Sequence, residues 1–463
     1  MGSKKQIIKP KPISGYPEWL PEVRHVEQQW LDHIRAVFEG YGFCSIETPA
    51  VEALEVIAAK GEDVDKEIYV LERLQAQIEE QQEARRGEAP TGKNKDARLA
   101  LHFDQTVPLA RYVGQHFNDL VFPFKRYQMQ KVWRGERPQA GRFREFTQCD
   151  IDVINIDTLP LHFDAEMPAI IYEALSGLNL PPFQIRISNR KILIGLLEAL
   201  GIQNIAEVTR IIDKLEKLGE DKIVELLKEH DLKDTQINEI IKLVSFRPER
   251  SGAEETSQAA NGEDPSHTFG MTALNDTMRE GIDELSFIMD QLAHLPDGAV
   301  VADLSIVRGL DYYTGTVYET VFLDDPSYGS ICSGGRYDDL ASNYINKNLP
   351  GVGISIGFSR LFSYMQSKGL VEARRVSPAD VLVILNSEED RALSAQTAAT
   401  LRANGHKVEL YHAPQKFSKQ MAYAEKKGIP YVWMPPYRDT AHHEVKNMAT
   451  GEQIKADPDD WKV

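Results

Sequence analysis

The segment 124–154, FKRYQMQKVWRGERPQAGRFREFTQCDIDVI, constrains the fold more than any other part of the chain. It reads as two extended runs around a Pro/Gly turn, RPQAG, and so predicts one long β-hairpin. Seven basic residues are concentrated here: Lys125, Arg126, Lys131, Arg134, Arg137, Arg142 and Arg144. Only Glu136 and Glu145 oppose them before Asp150 and Asp152. Side chains alternate faces along a strand. One face is then predicted to carry Arg134 and Glu136 on the outward run, and Arg142, Arg144, Phe146, Gln148 and Asp152 on the return. Guanidinium groups suit bidentate phosphate binding, and an aromatic ring beside them suits stacking on a nucleobase. A merely solvated hairpin would show the same charges. The amide of Gln148 and the carboxylate of Asp152 on the arginine face point instead to a site for a phosphorylated, amine-bearing ligand.

This basic hairpin lies in a chain of 463 residues with a formal net charge of -17. That balance disfavours non-specific nucleic-acid binding, although a local basic face still supplies phosphate contacts. The length predicts two or three domains. No apolar run reaches the roughly 18 residues of a membrane span, so none is expected. The first residues, MGSKKQIIKPKPISG, lack the apolar core of a secretory leader. Cys44, Cys149 and Cys332 form no close pair and no zinc-ligand spacing, which predicts free thiols in a reducing cytoplasm.

Arg134-Gly135-Glu136, followed after the turn by Arg142-xxx-Phe146, resembles motif 2 of the class II aminoacyl-tRNA synthetases. Residues 308–315, RGLDYYTG, resemble the histidine-specific motif of the histidyl-tRNA synthetase family nearly letter for letter, a far more specific signal than a lone glycine pattern. Residues 330–340, SICSGGRYDDL, resemble that family's second histidine motif, with Ser333 and Asp339 at positions where glycine is usual. Residues 351–361, GVGISIGFSRL, resemble motif 3, with Ser359 replacing the usual glutamate before Arg360. A predicted helix over 21–39 and a strand over 42–48 that meets Pro49 resemble motif 1. Residues 99–111, LALHFDQTVPLAR, resemble the family's amino-acid-binding loop.

Elsewhere the apolar spacing predicts helices over 161–178 and 271–292, and several between 190 and 245 on Ile192, Leu193, Leu196, Leu197, Ile211, Ile212, Leu215 and Leu218. Strands are predicted over 183–188, 301–307 and 316–322. Residues 63–74 read as part of the sheet region, 75–97 as a solvated helix fading into a loop, and 247–268 as a connector. After 376 the pattern alternates: strands over 380–385, 407–411 and 431–434, a late pair around 444–448, and helices over 392–404 and 417–427. This predicts a small, mostly parallel sheet with helices on both faces. No glycine-rich phosphate loop follows its first strand, which argues against a second nucleotide site.

The resemblance implies an α+β catalytic domain of class II synthetase type, an antiparallel sheet with helices, carrying a helical insertion and followed by a C-terminal α/β anticodon-binding domain. The implied boundaries are 1–188 and 269–375 for the two catalytic parts, 189–268 for the insertion with its connector, and 376–463 for the last domain. The implied enzyme is a cytoplasmic homodimer that uses ATP and Mg2+ to activate L-histidine and charge histidine tRNA. Arg134 and Arg308 would stabilise charge on the α-phosphate, and Arg142 and Arg360 would hold the β- and γ-phosphates. Glu136 would fix the adenine and Phe146 would stack on it. Asp104, Thr106 and Gln148 would hold the ammonium end of histidine. Asp152 and Tyr313 would bond the two ring nitrogens, in a pocket that Tyr312, Gly334, Gly335 and Tyr337 line. Arg137 and Gln139 would meet the acceptor end of the tRNA. Two other readings are a silent synthetase paralogue acting as a histidine-binding regulatory subunit of ATP phosphoribosyltransferase and an inactive tRNA sensor. The former lacks an anticodon domain and the latter lacks the arginines.

Overall fold

The computed structural model describes residues 9–58, 68–72, 98–139, 141–245, 275–307, 313–339, 341–342, 344–436 and 441–462. The described residues form two compact units, one from the chain up to residue 17 together with 33–364, the other from 18–32 together with 365–463. The predicted loop at 75–97 and connector at 247–268 lie outside the described residues, as do Arg308 and Tyr312.

The strands of the first unit are β1 (Cys44–Ser45), β2 (Val51–Ala53), β3 (Val70–Leu71), β4 (Leu99–Leu101), β5 (Phe124–Trp133), β6 (Glu145–Ile154), β7 (Phe183–Asn189), β8 (Val300–Ala302), β9 (Thr316–Phe322), β10 (Cys332–Tyr337) and β11 (Gly351–Ile356). Eight of them make one sheet in the order β1-β5-β6-β11-β10-β9-β7-β8, and β2-β4-β3 make a small second sheet. The large sheet is antiparallel except at its edges, where β1 runs parallel to β5 and β8 to β7. The hairpin read from the sequence is β5–β6, paired from Phe124↔Ile154 to Trp133↔Glu145. Its ladder ends sooner than the alternation predicts. Arg134, Glu136, Arg142 and Arg144 occupy the connection instead of a strand face. The Arg134 N–H still donates to the Arg144 carbonyl at 2.9 Å. Beyond it, Pro138 has no N–H to offer and Gly141 turns at a φ of +71°.

Alternation divides the sheet into an apolar face and a polar one. Cys149, Ile151 and Val153 of β6 and Ile354 and Ile356 of β11 are buried on the apolar face. The helix His162–Ser176 packs there with Met167, Ile170, Ile171 and Leu175. A buried ion pair pins it: Arg336 Nη2 lies 2.6 Å from Asp164 Oδ2, and the Tyr318 hydroxyl donates to the Asp164 carbonyl at 2.8 Å. The helix Asp276–Gln291 lies beside β7 and β8 and crosses Arg190–Ala199 so closely that a Cβ on Gly195 would come 2.4 Å from the Met278 nitrogen. Asn189 closes β7 and caps the helix after it, accepting from the Lys191 N–H at 3.0 Å. Four helices follow, Ile205–Ile212, Leu215–Leu218, Glu220–Glu229 and Asp234–Val244, around Val208, Ile212, Ile223, Leu227, Ile240 and Leu243. Leu218, the last residue of its helix before Gly219, is exposed.

Two predicted strands are shorter than their apolar runs. The run at 42–48 pairs only at Cys44–Ser45. The run at 301–307 stops at Ala302, where Asp303 Oδ1 accepts from both the N–H (3.1 Å) and the hydroxyl (2.6 Å) of Ser305 and turns the chain.

The second unit holds β12 (Val381–Val383), β13 (Val408–Leu410), β14 (Tyr431–Met434), β15 (Glu444–Asn447) and β16 (Gln453–Lys455), in the order β13-β12-β14-β15-β16. The first three are parallel and the last two antiparallel. The helix Arg391–Ala403 buries Ala398 and Leu401 against Val381, Val383 and Trp433. The helix Phe417–Lys427 buries Ala424 against Leu382, Ile384 and Val432 on the other face.

Candidate active site

The polar face of the large sheet follows from strand register. Arg126, Gln128 and Gln130 on β5 stand opposite Asp152, Asp150 and Gln148 on β6. Asp152 and Asp150 in turn stand opposite Gly353 and Ser355 on β11. Gly351, Gly353 and Ser355 stand opposite Tyr337, Gly335 and Ser333 on β10. Two strands side by side are thus nearly bare in the middle of the sheet, and neighbouring side chains lie down over them. A Cβ on Gly353 would fall 2.0 Å from Asp152 Oδ1, and one on Gly335 would fall 2.8 Å from the Tyr313 ring. Gly334, predicted to line the same pocket, belongs to the opposite face by alternation; a Cβ there would collide with the Gly353 carbonyl.

Asp152 is held from two sides. Arg126 Nη2 lies 2.5 Å from its Oδ2, with the guanidinium fully buried. The Tyr337 hydroxyl donates to its Oδ1 at 2.9 Å. Burial pushes the Asp150 carboxyl up to about 7, against the opposing pull of Arg126 and a hydrogen bond from Ser355; Asp152 and Asp104 add to the rise. Burial also raises the Tyr313 hydroxyl, and Asp152 and Asp150 raise it further, so it stays protonated and able to donate. Arg190 holds the Tyr313 carbonyl. The Gln148 amide donates to Ser355 Oγ at 2.8 Å. Asp104 Oδ1 accepts from the Val107 N–H at 3.0 Å and so caps the helix Thr106–His116, whose first residue is Thr106. The amino-acid loop is tied to the hairpin by Gln105, whose amide donates to the carbonyls of Gln130 and Gln148.

Next to this polar pocket is a cleft of about 280 Å3. Arg134, Glu136, Arg142, Phe146, Gln148 and Arg360 all line it. The Arg134 guanidinium lies 5.1 Å from the Phe146 ring centroid, and its Nε donates to the Phe103 carbonyl at 3.1 Å. Arg142 sits 3.8 Å from Glu136. Arg360 stacks over Tyr328 at 4.8 Å, and the Tyr328 hydroxyl donates back to the Arg360 carbonyl. Ser359 has a partner of its own: its hydroxyl accepts from the Thr147 N–H at 2.8 Å and ties the helix Phe358–Ser367 to β6. Ser333 keeps an ordinary backbone, and Asp339 accepts from the Ser342 N–H at 3.0 Å. Arg137 and Gln139 are exposed in the hairpin connection.

Gln148 lines the cleft and neighbours Asp150 and Asp152 on the polar strand face, so cleft and pocket form one continuous site. Its arginines suit a polyphosphate, its aromatic ring suits a base, and its buried carboxylates suit a cationic or N–H-bearing group. Sequence reasoning left Arg126, Asp150, Ser355 and Tyr328 unassigned. The two-residue period that selected Gln148 and Asp152 also passes through Asp150.

Residues 70–361 match the family model described as Histidyl-tRNA synthetase. The chain belongs to the histidyl-tRNA synthetase family. Residues 380–461 match a model described as an anticodon binding domain, so the α+β unit is a class II synthetase catalytic domain and the α/β unit an anticodon-binding domain. The chain is 53% identical to the histidine--tRNA ligase of Thermobifida fusca over 99% of both chains. It is 46% identical to that of Bifidobacterium longum subsp. infantis, covering 97% of this chain and 96% of that one. The crystal structure of histidyl-tRNA synthetase from Nostoc sp. superposes with a TM-score of 0.82 at 37% identity, covering 97% of each chain. No helix among the described residues is long and apolar enough to cross a membrane.

Proposed function

We propose that this chain is a histidine--tRNA ligase, which activates L-histidine with ATP and transfers the histidyl group to the 3′ end of histidine tRNA. The observation that carries the proposal is the continuous site, with an arginine-lined cleft at one end and the buried Asp152–Arg126–Tyr337 group at the other. ATP would lie in the cleft with its adenine on Phe146 and Glu136. Arg142 and Arg360 would take the outer phosphates, and Arg134 and Arg308 the α-phosphate. Histidine would place its ring between Asp152 and Tyr313, over Gly335 and beside Tyr312 and Tyr337, with its ammonium toward Asp104, Thr106 and Gln148. Its carboxylate then attacks the α-phosphorus and pyrophosphate leaves, a reaction that depends on alignment and on neutralising charge that develops on the phosphate. The terminal tRNA hydroxyl next attacks the adenylate carbonyl, with Arg137 and Gln139 meeting the acceptor end.

Among the described residues no cluster of three or more His, Cys, Asp or Glu can hold a metal ion. Mg2+ would arrive with the triphosphate, as it commonly does with nucleotides. The assembly consistent with the family is a cytoplasmic homodimer. The division into catalytic parts at 1–188 and 269–375, an insertion at 189–268 and a last domain from 376 belongs to the same reading. The regulatory-subunit alternative is not favoured, since the chain keeps a C-terminal unit matched by the anticodon-binding model.

The test is charging of histidine tRNA with labelled histidine, comparing the native chain with Arg308→Ala. The native chain should charge the tRNA, and the variant should lose histidine-dependent ATP–pyrophosphate exchange while keeping its thermal transition. Native-level exchange in Arg308→Ala would overturn the role given to that arginine, and failure of the native chain to charge would overturn the reading itself.

A further inference from the structure

Arg126 has no part in the scheme above, yet it is the most completely buried charged side chain at the site, with no exposed surface. It enters from β5, at the register position opposite Asp152, and its Nη2 meets Asp152 Oδ2 at 2.5 Å. Asp150, two residues along the same strand face, is near enough for Arg126 to draw its carboxyl down against the effect of burial. One guanidinium thus faces two buried carboxylates. The other oxygen of Asp152 is taken by the Tyr337 hydroxyl, and the carboxylate lies over the adjoining strand at Gly353, where a Cβ would come 2.0 Å from its Oδ1.

Burying a charged pair is weak evidence for stability, because apolar residues of the same size commonly serve as well. Its effect here is on Asp152. An arginine at this distance favours the ionised carboxylate, and an ionised carboxylate only accepts hydrogen bonds. A pocket whose end group can only accept requires an N–H on the ligand. The neutral acid, free to rotate and to donate, would lose that discrimination.

We infer that Arg126 is a positioning residue for amino-acid selection: it holds Asp152 ionised and in one rotamer, so that the pocket demands a ring N–H. This inference rests on the function proposed above.

The test is ATP–pyrophosphate exchange with histidine and ATP titrated separately, on Arg126→Gln, Asp152→Asn and the double variant, with thermal unfolding as the check on folding. Arg126→Gln should raise the KM for histidine about tenfold or more, the weight of a charged hydrogen bond, and leave the KM for ATP within about twofold. Once Asp152 is asparagine, adding Arg126→Gln should change the histidine KM by less than about twofold, since Arg126 acts through Asp152. An arginine that only supported the fold would lower stability and move neither KM selectively. Arg126→Gln leaves Asp152 buried without its cation; should it not fold, Arg126→Lys decides, with an expected histidine KM about two- to tenfold up, because an ammonium keeps the charge but not the planar guanidinium that reaches Asp152. A folded variant with an unchanged histidine KM, or effects that multiply in the double variant, would overturn the inference. The native chain separates the two readings: without histidine-dependent exchange there, the proposed function fails first; with it, only the role of Arg126 is in question.

Discussion

Replacing Gly353 by alanine probes the histidine end of the site through one added carbon. The new Cβ would fall 2.0 Å from Asp152 Oδ1, 2.6 Å from its Cγ and 2.9 Å from the Ile151 carbonyl, where real Cβ atoms essentially never approach within 3.0 Å. The strand is paired on both sides, by β6 and by β10, so the carboxylate moves more readily than the backbone. It must shift by about 1 Å, enough to break the 2.9 Å bond from Tyr337 and to strain the 2.5 Å contact with Arg126. Hydrogen bonds to a charged group contribute about 1.5–3 kcal/mol each. Losing one therefore lowers kcat/KM for histidine by roughly 10- to 150-fold, at 1.4 kcal/mol per decade. The ATP cleft lies along β6 toward Phe146, so the KM for ATP serves as the internal control. The assay is ATP–pyrophosphate exchange with each substrate varied in turn, alongside thermal unfolding. A folded Gly353→Ala protein with native kcat/KM for histidine would refute the placement of Asp152 as the ring-reading group.

Three further outcomes follow from the same geometry. Burial raises the Asp150 carboxyl from the ordinary aspartate value of 3.8 to about 7, so the native state keeps a proton that the unfolded chain loses between those values. Its contribution to stability is complete below about pH 4 and is lost as pH rises to about 7, at up to about 1.4 kcal/mol per pH unit. Asp150→Asn should remove that slope, and denaturant unfolding at pH 5 and 8 would show parallel pH dependence in the two proteins if the carboxyl were not raised. Arg336→Met strands Asp164 on the apolar face and should cost about 3–5 kcal/mol in urea unfolding, with a loss under about 1 kcal/mol counting against the buried pair. Phe146→Ala should raise the KM for ATP roughly 5- to 150-fold, the worth of one stacked base, while sparing the KM for histidine; equal effects on both would count against an adenine on that ring.

What was legible from the residues was periodicity. The alternation in β6 and the β-branched run of β9 predict strands because a two-residue period with one apolar face has few other ways to be buried. The helices of the second unit follow from the same kind of signal at a different period, and Phe417–Lys427 begins and ends where the pattern does. Pairing across strands is a different matter. Nothing local in the chain says that Arg126 will meet Asp152, or that Tyr337 will reach the other oxygen of that carboxylate, because those contacts depend on register among β5, β6, β11 and β10. The capping contact of Asp104 is local, but it competes with the ligand role the motif implies, and both draw on the same two oxygens. Strand ends were overrun where side chains divert the backbone, as Asp303 does after β8. The departures at Ser359 and Asp339 gain meaning only in three dimensions, where each accepts a backbone N–H.

The most direct measurement is ATP–pyrophosphate exchange with the native chain, each of the twenty protein amino acids supplied singly. The site described here predicts exchange with histidine and background with the other nineteen, because Asp152 and Tyr313 together ask for a ring with both a donor and an acceptor nitrogen. Exchange driven by a different amino acid, or a folded chain that binds histidine and exchanges with none, would contradict it.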